Sequence, residues 1–271
     1  MKKYVHQIYY NEETKSQLLD GFIPLDNTQN SRPDWFEFWV ILNFLRNNVL
    51  EEDAWYGFLS PKFHEKTGFT SEYVNSLLEG QEGVGSVVLL SPSWDQLSFF
   101  LNPFEQGEMW HPGLLGACQK FIDSTWLELN LSTLVTDTSS SVFSNYIIAK
   151  KDFWEEWEIL AEEFFKYVES SPEYQSHTPY GSVESRFPMK TFIQERLATV
   201  VLASGQFKAA CAPYSFMHPI FTRLFPDDIE TRVLLQTCDL MKQKYRLSAD
   251  QKYLDMYWKI RGDITFFRQS F

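Results

Sequence analysis

Two short runs in this chain, AWYGFLS (54–60) and SVVLLS (86–91), carry no charged residue. A strand with one face in water alternates apolar and polar side chains; a strand that is apolar throughout has both faces covered. Residues 71–79 between the runs read as a helix, so strand and helix alternate. That alternation predicts an α/β layer with parallel strands. Each run closes on Leu-Ser-Pro, and a proline cannot extend the ladder, so both mark strand ends.

The rest of the chain fits this frame. YVHQIYY (4–10) reads as the first strand and FIPLDN (22–27) as a short extended piece. SRPD then signals a helix start: Ser31 can cap, Pro33 suits the first turn and Asp34 faces the helix dipole. The helix over about 35–47 is apolar nearly all round, so most of it is buried; Glu37 and Asn43 are its polar exceptions. HPGLLGACQKFID (111–123) opens a helix, and VFSNYIIAK (142–150) is a strand with a polar Ser144-Asn145 step inside it. Asp152 is placed to cap the next helix, whose stripe of Phe153, Trp157, Leu160, Phe164 and Val168 faces the core. The polar segment 169–185 is long for a loop in a compact domain, a length typical of lids and binding loops. Residues 188–203 read as one helix, and the chain from about 207 onward is mostly helical. The expected organisation is an α/β domain over 1–205 with a helical extension over 206–271 packed on it.

The net charge of −12 argues against a nucleic-acid partner, which needs a basic surface. No run approaches the roughly 18 apolar residues of a membrane span. The start MKKYVHQIYYNEE is too polar for a signal peptide, and the widely spaced Cys118, Cys211 and Cys238 suit reduced thiols. These point to a cytoplasmic protein. The aromatic share of 17% fits a crowded core, or a pocket in which rings stack on sugar faces. There is no GxGxxG after the first strand, no phosphate-binding GxxxxGK, no HExxH, no paired CxxC and no GxSxG.

In open α/β sheets the ligand sits beyond the carboxyl ends of the strands. Tyr10-Asn11, Ser60-Pro61-Lys62 and Ser91 to Asp95 fall at such ends. Lys62 could there meet a phosphate, and Asp95 could orient a hydroxyl, bind a cation or act as a base. The alternative is that Ser-Pro only stops each strand while the charges face water. His111, beside Trp110 and Pro112 at a helix start, is a further candidate, although a lone histidine is more often structural. Glu195 lies on a polar stripe with Thr191 and Thr199 in an otherwise apolar helix. A carboxylate held among apolar residues has a raised pKa and suits general-base work; a surface pair with Lys190 or Arg196 is the competing explanation. Glu37 raises the same question.

The order of these segments resembles glycosyltransferase-like proteins of bacterial capsule and surface-polysaccharide loci. The resemblance rests on a first strand ending in Tyr-Tyr, the helix WFEFWVILNFL before a Tyr-Gly strand, and SNYIIAKKDFWEEW followed by FPMKTFIQERLATVVL. It spans about residues 4–203 and implies a GT-A-type nucleotide-diphospho-sugar fold, that is, a Rossmann-type mainly parallel sheet flanked by helices. It further implies a nucleotide-sugar donor and a glycan acceptor, with Tyr9, Tyr10 and Asn11 by the nucleotide, Lys62, Ser91 and Asp95 by the diphosphate and sugar, and Glu195 as base with Asn145 nearby. Many such enzymes hold Mg²⁺ or Mn²⁺ on an Asp-x-Asp. This chain has none, so Lys62, Arg186 or Arg196 would have to neutralise the leaving diphosphate. A non-catalytic glycan-binding or partner protein that retains the fold is the alternative.

Overall fold

A computed structural model describes residues 1–175, 177–180, 182–214 and 217–267; at 177, 179, 180 and 182–185 the backbone alone is described. The strands are β1 (Lys2–Tyr9), β2 (Ile23–Asp26), β3 (Ala54–Leu59), β4 (Val87–Leu89), β5 (Ile147–Lys150), β6 (His177–Tyr180), β7 (Ser182–Pro188) and β8 (Ala209–Cys211). The α-helices are α1 (Glu12–Lys15), α2 (Phe36–Asn47), α3 (Phe63–Thr67), α4 (Ser71–Gly80), α5 (Trp94–Phe99), α6 (Pro103–Trp110), α7 (Leu114–Asp123), α8 (Lys151–Glu169), α9 (Met189–Gln194), α10 (Leu197–Ala203), α11 (Ile229–Ser248) and α12 (Gln251–Asp263).

Two compact units divide the chain. The first comprises Met1–Ser91, Val142–Ser170 and Ile193–Ala212; the second comprises Pro92–Ser141, Ser171–Phe192 and Pro213–Phe271. The sequence suggests one boundary after 205, whereas these units interleave along the chain, and β8 completes the sheet of the first.

That sheet has the order β2-β1-β3-β5-β4-β8. β1 runs parallel to β2 and β3, and β4 runs parallel to β8. Only β5 is reversed, paired antiparallel with both β3 and β4. As the uninterrupted apolar runs predict, β3 and β4 are buried at every position. Their cover includes α8, which packs on β3, β5, α2 and α10. Rings fill the gap: Trp35 meets Phe164 edge-on at 5.9 Å, and Phe58 meets Trp154 at 5.0 Å. The one polar atom of Trp154 is satisfied, since its Nε1 donates to Tyr56 O at 3.0 Å. Each edge-to-face pair adds about 0.5–1.5 kcal/mol beyond the area it buries.

The second unit holds the hairpin of β6 and β7 and a helical core in which α11 packs on α5 and α12. Trp94, Phe99, Leu235, Cys238 and Tyr257 are buried there. Lys242 is buried among them, its ammonium donating to Phe100 O at 2.6 Å and to Leu97 O at 2.5 Å. Burial lowers its pKa to about 8. Among the described residues, no helix is long and apolar enough to cross a membrane.

Several local expectations change. The helix expected over 188–203 is two: α9 ends at Gln194, Glu195 and Arg196 form a turn, and α10 begins at Leu197. The start of α10 is anchored by Thr199, whose Oγ1 donates to Val142 O at 2.8 Å and accepts from Val142 N at 2.7 Å. Thr199 is therefore a backbone clamp, not part of a stripe shared with Glu195. Asp152 does not cap α8; Lys150 is at that position and Asp152 accepts from its own neighbour, Phe153 N, at 2.9 Å. Ser31 accepts from Trp39 Nε1 at 3.1 Å, and a 3₁₀ turn, Pro33–Trp35, leads into α2. The strand expected over 142–150 shrinks to β5. The segment 169–185 is not an irregular loop, since it contains a 3₁₀ turn, Pro172–Gln175, and most of the hairpin.

Candidate functional site

Strand direction decides which residues meet. The carboxyl ends of β1, β3 and β4 bring Tyr9 to Asn11, Ser60 to Lys62, and Ser91 to one edge of the first unit's sheet. Because β5 is reversed, the residues entering it, Asn145 and Tyr146, arrive at that same edge. Hydrogen bonds tie the ends together: Ser60 Oγ and Tyr146 OH lie 2.9 Å apart, and Leu90 N donates to Tyr146 O at 2.8 Å. Below them the buried Gln7 amide donates to Pro61 O at 3.3 Å and accepts from Leu19 N at 2.7 Å.

Two carboxylates belong to this edge. Glu37 sits in the first turn of α2, where the helix dipole favours its charged form. Burial outweighs that and raises its pKa, opposed in part by a hydrogen bond from Asn145 Nδ2 at 3.4 Å and by the Lys66 cation. Glu195, in the turn before α10, is pushed up to about 7. Burial is the largest cause; Arg196 and Lys66 pull the value down and Glu37 pushes it up. Both residues are half-buried as a whole, while their carboxyl groups are the parts most removed from solvent. Glu37, Asn145, Lys66 and Glu195 therefore form one electrostatic group inside the first unit.

Buried polar atoms without a partner among the described residues occur in both units, and three of them flank these residues in the chain or end a strand at this edge. Ser91 Oγ, Ser144 Oγ and Gln194 Oε1 are buried without a hydrogen-bond partner, a cost of about 1–3 kcal/mol each unless a ligand or water satisfies them. Phe36, next to Glu37, has φ 49° and ψ −133°, a region that bulky residues occupy at a cost of order 1–3 kcal/mol and that clusters at functional sites. Its ring is exposed.

The remaining candidates are placed as follows. Lys62 is exposed on the edge, immediately before α3. Tyr10 is exposed, and the Asp26 carboxylate raises the Tyr9 phenol pKa. The Asn11 side chain is spent on capping α1, accepting from Thr14 N at 2.8 Å. Arg196 is buried beside Glu195. Asp95, His111 and Arg186 belong to the second unit. Asp95 is not a strand-end residue there: it lies in α5, fully buried, and accepts from Thr222 N at 2.9 Å and Thr222 Oγ1 at 2.5 Å. His111 is buried and stacked on Phe192 at 3.5 Å, while Arg186 is exposed on β7. Among the described residues no group of three or more His, Cys, Asp or Glu is arranged to hold a metal ion.

Lys66 is the residue that sequence reading did not assign. Its signal was weak: it follows Lys62 by one helical turn in the segment after β3, but nothing in the sequence joins it to Glu37 and Glu195. No family model matches the chain, and no curated protein or solved structure matches it.

Proposed function

We propose that the chain is a glycosyltransferase-like enzyme that moves a sugar from a nucleotide-sugar donor to a glycan hydroxyl. One observation carries this reading: a carboxylate with its pKa near 7, Glu195, beside Glu37, Lys66 and Asn145 at the carboxyl-end edge of a mainly parallel sheet. A base of that pKa is half-ionised at neutral pH and accepts a proton with little penalty. Glu195 would take the proton of the acceptor hydroxyl as that oxygen bonds to the anomeric carbon. The bond from that carbon to the donor phosphate breaks, and its electron pair leaves on the nucleoside diphosphate. Lys62 and Lys66 supply positive charge for the departing group. Asn145 holds the second carboxylate, Glu37, by a hydrogen bond at 3.4 Å, and the orphaned Ser91 and Ser144 hydroxyls are suited to sugar or phosphate oxygens.

Equilibrium binding of a panel of nucleotide sugars, with and without Mn²⁺, tests this. Binding is expected for at least one member, weakened at least tenfold in Lys62→Ala. No binding by any member overturns the proposal.

The second reading is a glycan-binding or partner protein without catalysis. It is favoured by the commitment of Asp95 to Thr222 and by the missing Asp-x-Asp. Under it, ligand binds but Glu195→Gln leaves every measurable property of the bound state unchanged.

A further inference from the structure

A separate cavity of about 310 Å³ opens in the first unit between the end of β2 and the outer face of α2. Its wall is rich in neutral hydrogen-bonding groups. Asn27, Gln29, Asn43 and Asn47 line it together with Asp26 and Trp39. Asp26 is its single carboxylate, and it already accepts from Thr28 N at 2.8 Å. The Asn47 amide donates to Asn43 Oδ1 at 3.2 Å and to Asn43 O at 2.7 Å, which leaves the Asn43 amide N–H groups and the Asn47 carbonyl to face a ligand. The amides of Asn27 and Gln29 have no side-chain partner among the described residues.

The cations nearby are neutralised. Arg46 makes a two-point pair with Glu162 at 2.5 and 2.8 Å, and Arg32 makes one with Asp34 at 3.0 and 2.9 Å while also reaching Glu169 at 2.9 Å. Their guanidiniums lie 5.1 and 5.8 Å from the Trp39 ring centre, and its Nε1 donates to Ser31 Oγ. Trp39 is thereby fixed as a rigid wall. Among the described residues no Lys or Arg lines the cavity to meet an anion, and an apolar ligand would strand the amides. A neutral polyhydroxyl ligand matches both, because its hydroxyls donate to and accept from planar amides.

We infer that this cavity is a saccharide-binding site for a neutral stretch of glycan, distinct from the Glu195 group. The inference holds whether or not Glu195 is a base; under the proposed function the cavity would grip the acceptor chain away from the reacting hydroxyl.

The test is a microarray of neutral and uronic-acid-containing bacterial oligosaccharides probed with the full chain, followed by calorimetry on the strongest hit. A neutral oligosaccharide is expected to bind. Its affinity should fall at least tenfold in Asn27→Ala and in Asn43→Ala, and stay unchanged in Lys252→Ala, an exposed position of the second unit. Both asparagine changes are at accessible surface positions, so folding is checked by an unaltered melting curve. Failure to bind any neutral glycan, binding of acidic glycans only, or a hit indifferent to both asparagine changes overturns the inference. Retained neutral-glycan binding with no nucleotide-sugar binding overturns the proposed function alone.

Discussion

At the scale of the residue, the decisive quantity is the protonation of Glu195. Its carboxyl is raised from 4.5 to about 7 in the folded chain. Between those values the folded state holds a proton that the unfolded state has released. The associated stability is complete below about pH 4.5 and is lost as pH rises through about 7. Glu195→Gln carries no such proton. Its melting temperature should therefore gain on that of the native chain as pH rises from about 5 to about 8, by a few degrees. A difference that stays constant across this window would show that Glu195 titrates as an ordinary surface carboxylate. Glu195 itself was legible in the sequence because a lone acid among apolar residues is conspicuous. Its partners were not, because Glu37, Lys66 and Asn145 come from three distant segments and only the crossing of the chain brings them together.

At the scale of the element, β3 and β4 were legible from their unbroken apolar runs, and the two Leu-Ser-Pro closures from proline's missing donor. The direction of β5 was not. Apolar content says that a strand is buried, whereas direction depends on the path of the chain before it, and Ile147–Lys150 is too short to announce either. The break at Glu195-Arg196 was hidden for a similar reason: the residues on both sides favour helix, and the interruption is anchored by the tertiary bond of Thr199 to Val142. Asp95 misled because a Leu-Ser-Pro echo suggested a second ligand edge residue, when α5 instead turns it into a buried clamp on Thr222. Gly57 shows how tightly the central strands are fitted. A Cβ there would lie 2.7 Å from Ile148 Cγ1 and 3.4 Å from Val5 Cγ1. Gly57→Ala is expected to cost about 1–3 kcal/mol, read as a lower urea midpoint. A loss under about 0.5 kcal/mol would mean that β3 and β5 have room to part.

At the scale of the whole molecule, each unit has its own buried charge. In the second, Lys242 is satisfied by backbone carbonyls, and Asp239 accepts from Thr138 N and Thr138 Oγ1, both at 2.8 Å. Those groups are saturated with internal partners, as structural charges are. In the first, Glu37 and Glu195 are held toward their neutral forms by burial, with Asn145 Nδ2 donating to Glu37 at 3.4 Å. The interleaving of the units was beyond sequence reading, since no composition shift or linker marks where one gives way to the other. The central claim is that the first unit's sheet edge holds a carboxyl tuned for proton transfer near neutral pH. Carbon NMR of the Glu195 side-chain carboxyl across pH 3 to 10, in the full chain and in Lys66→Met, tests it most directly. The expected result is a midpoint at about 7 that moves upward when the Lys66 cation is removed; a midpoint in the ordinary range near 4.5, unmoved by that change, would contradict it.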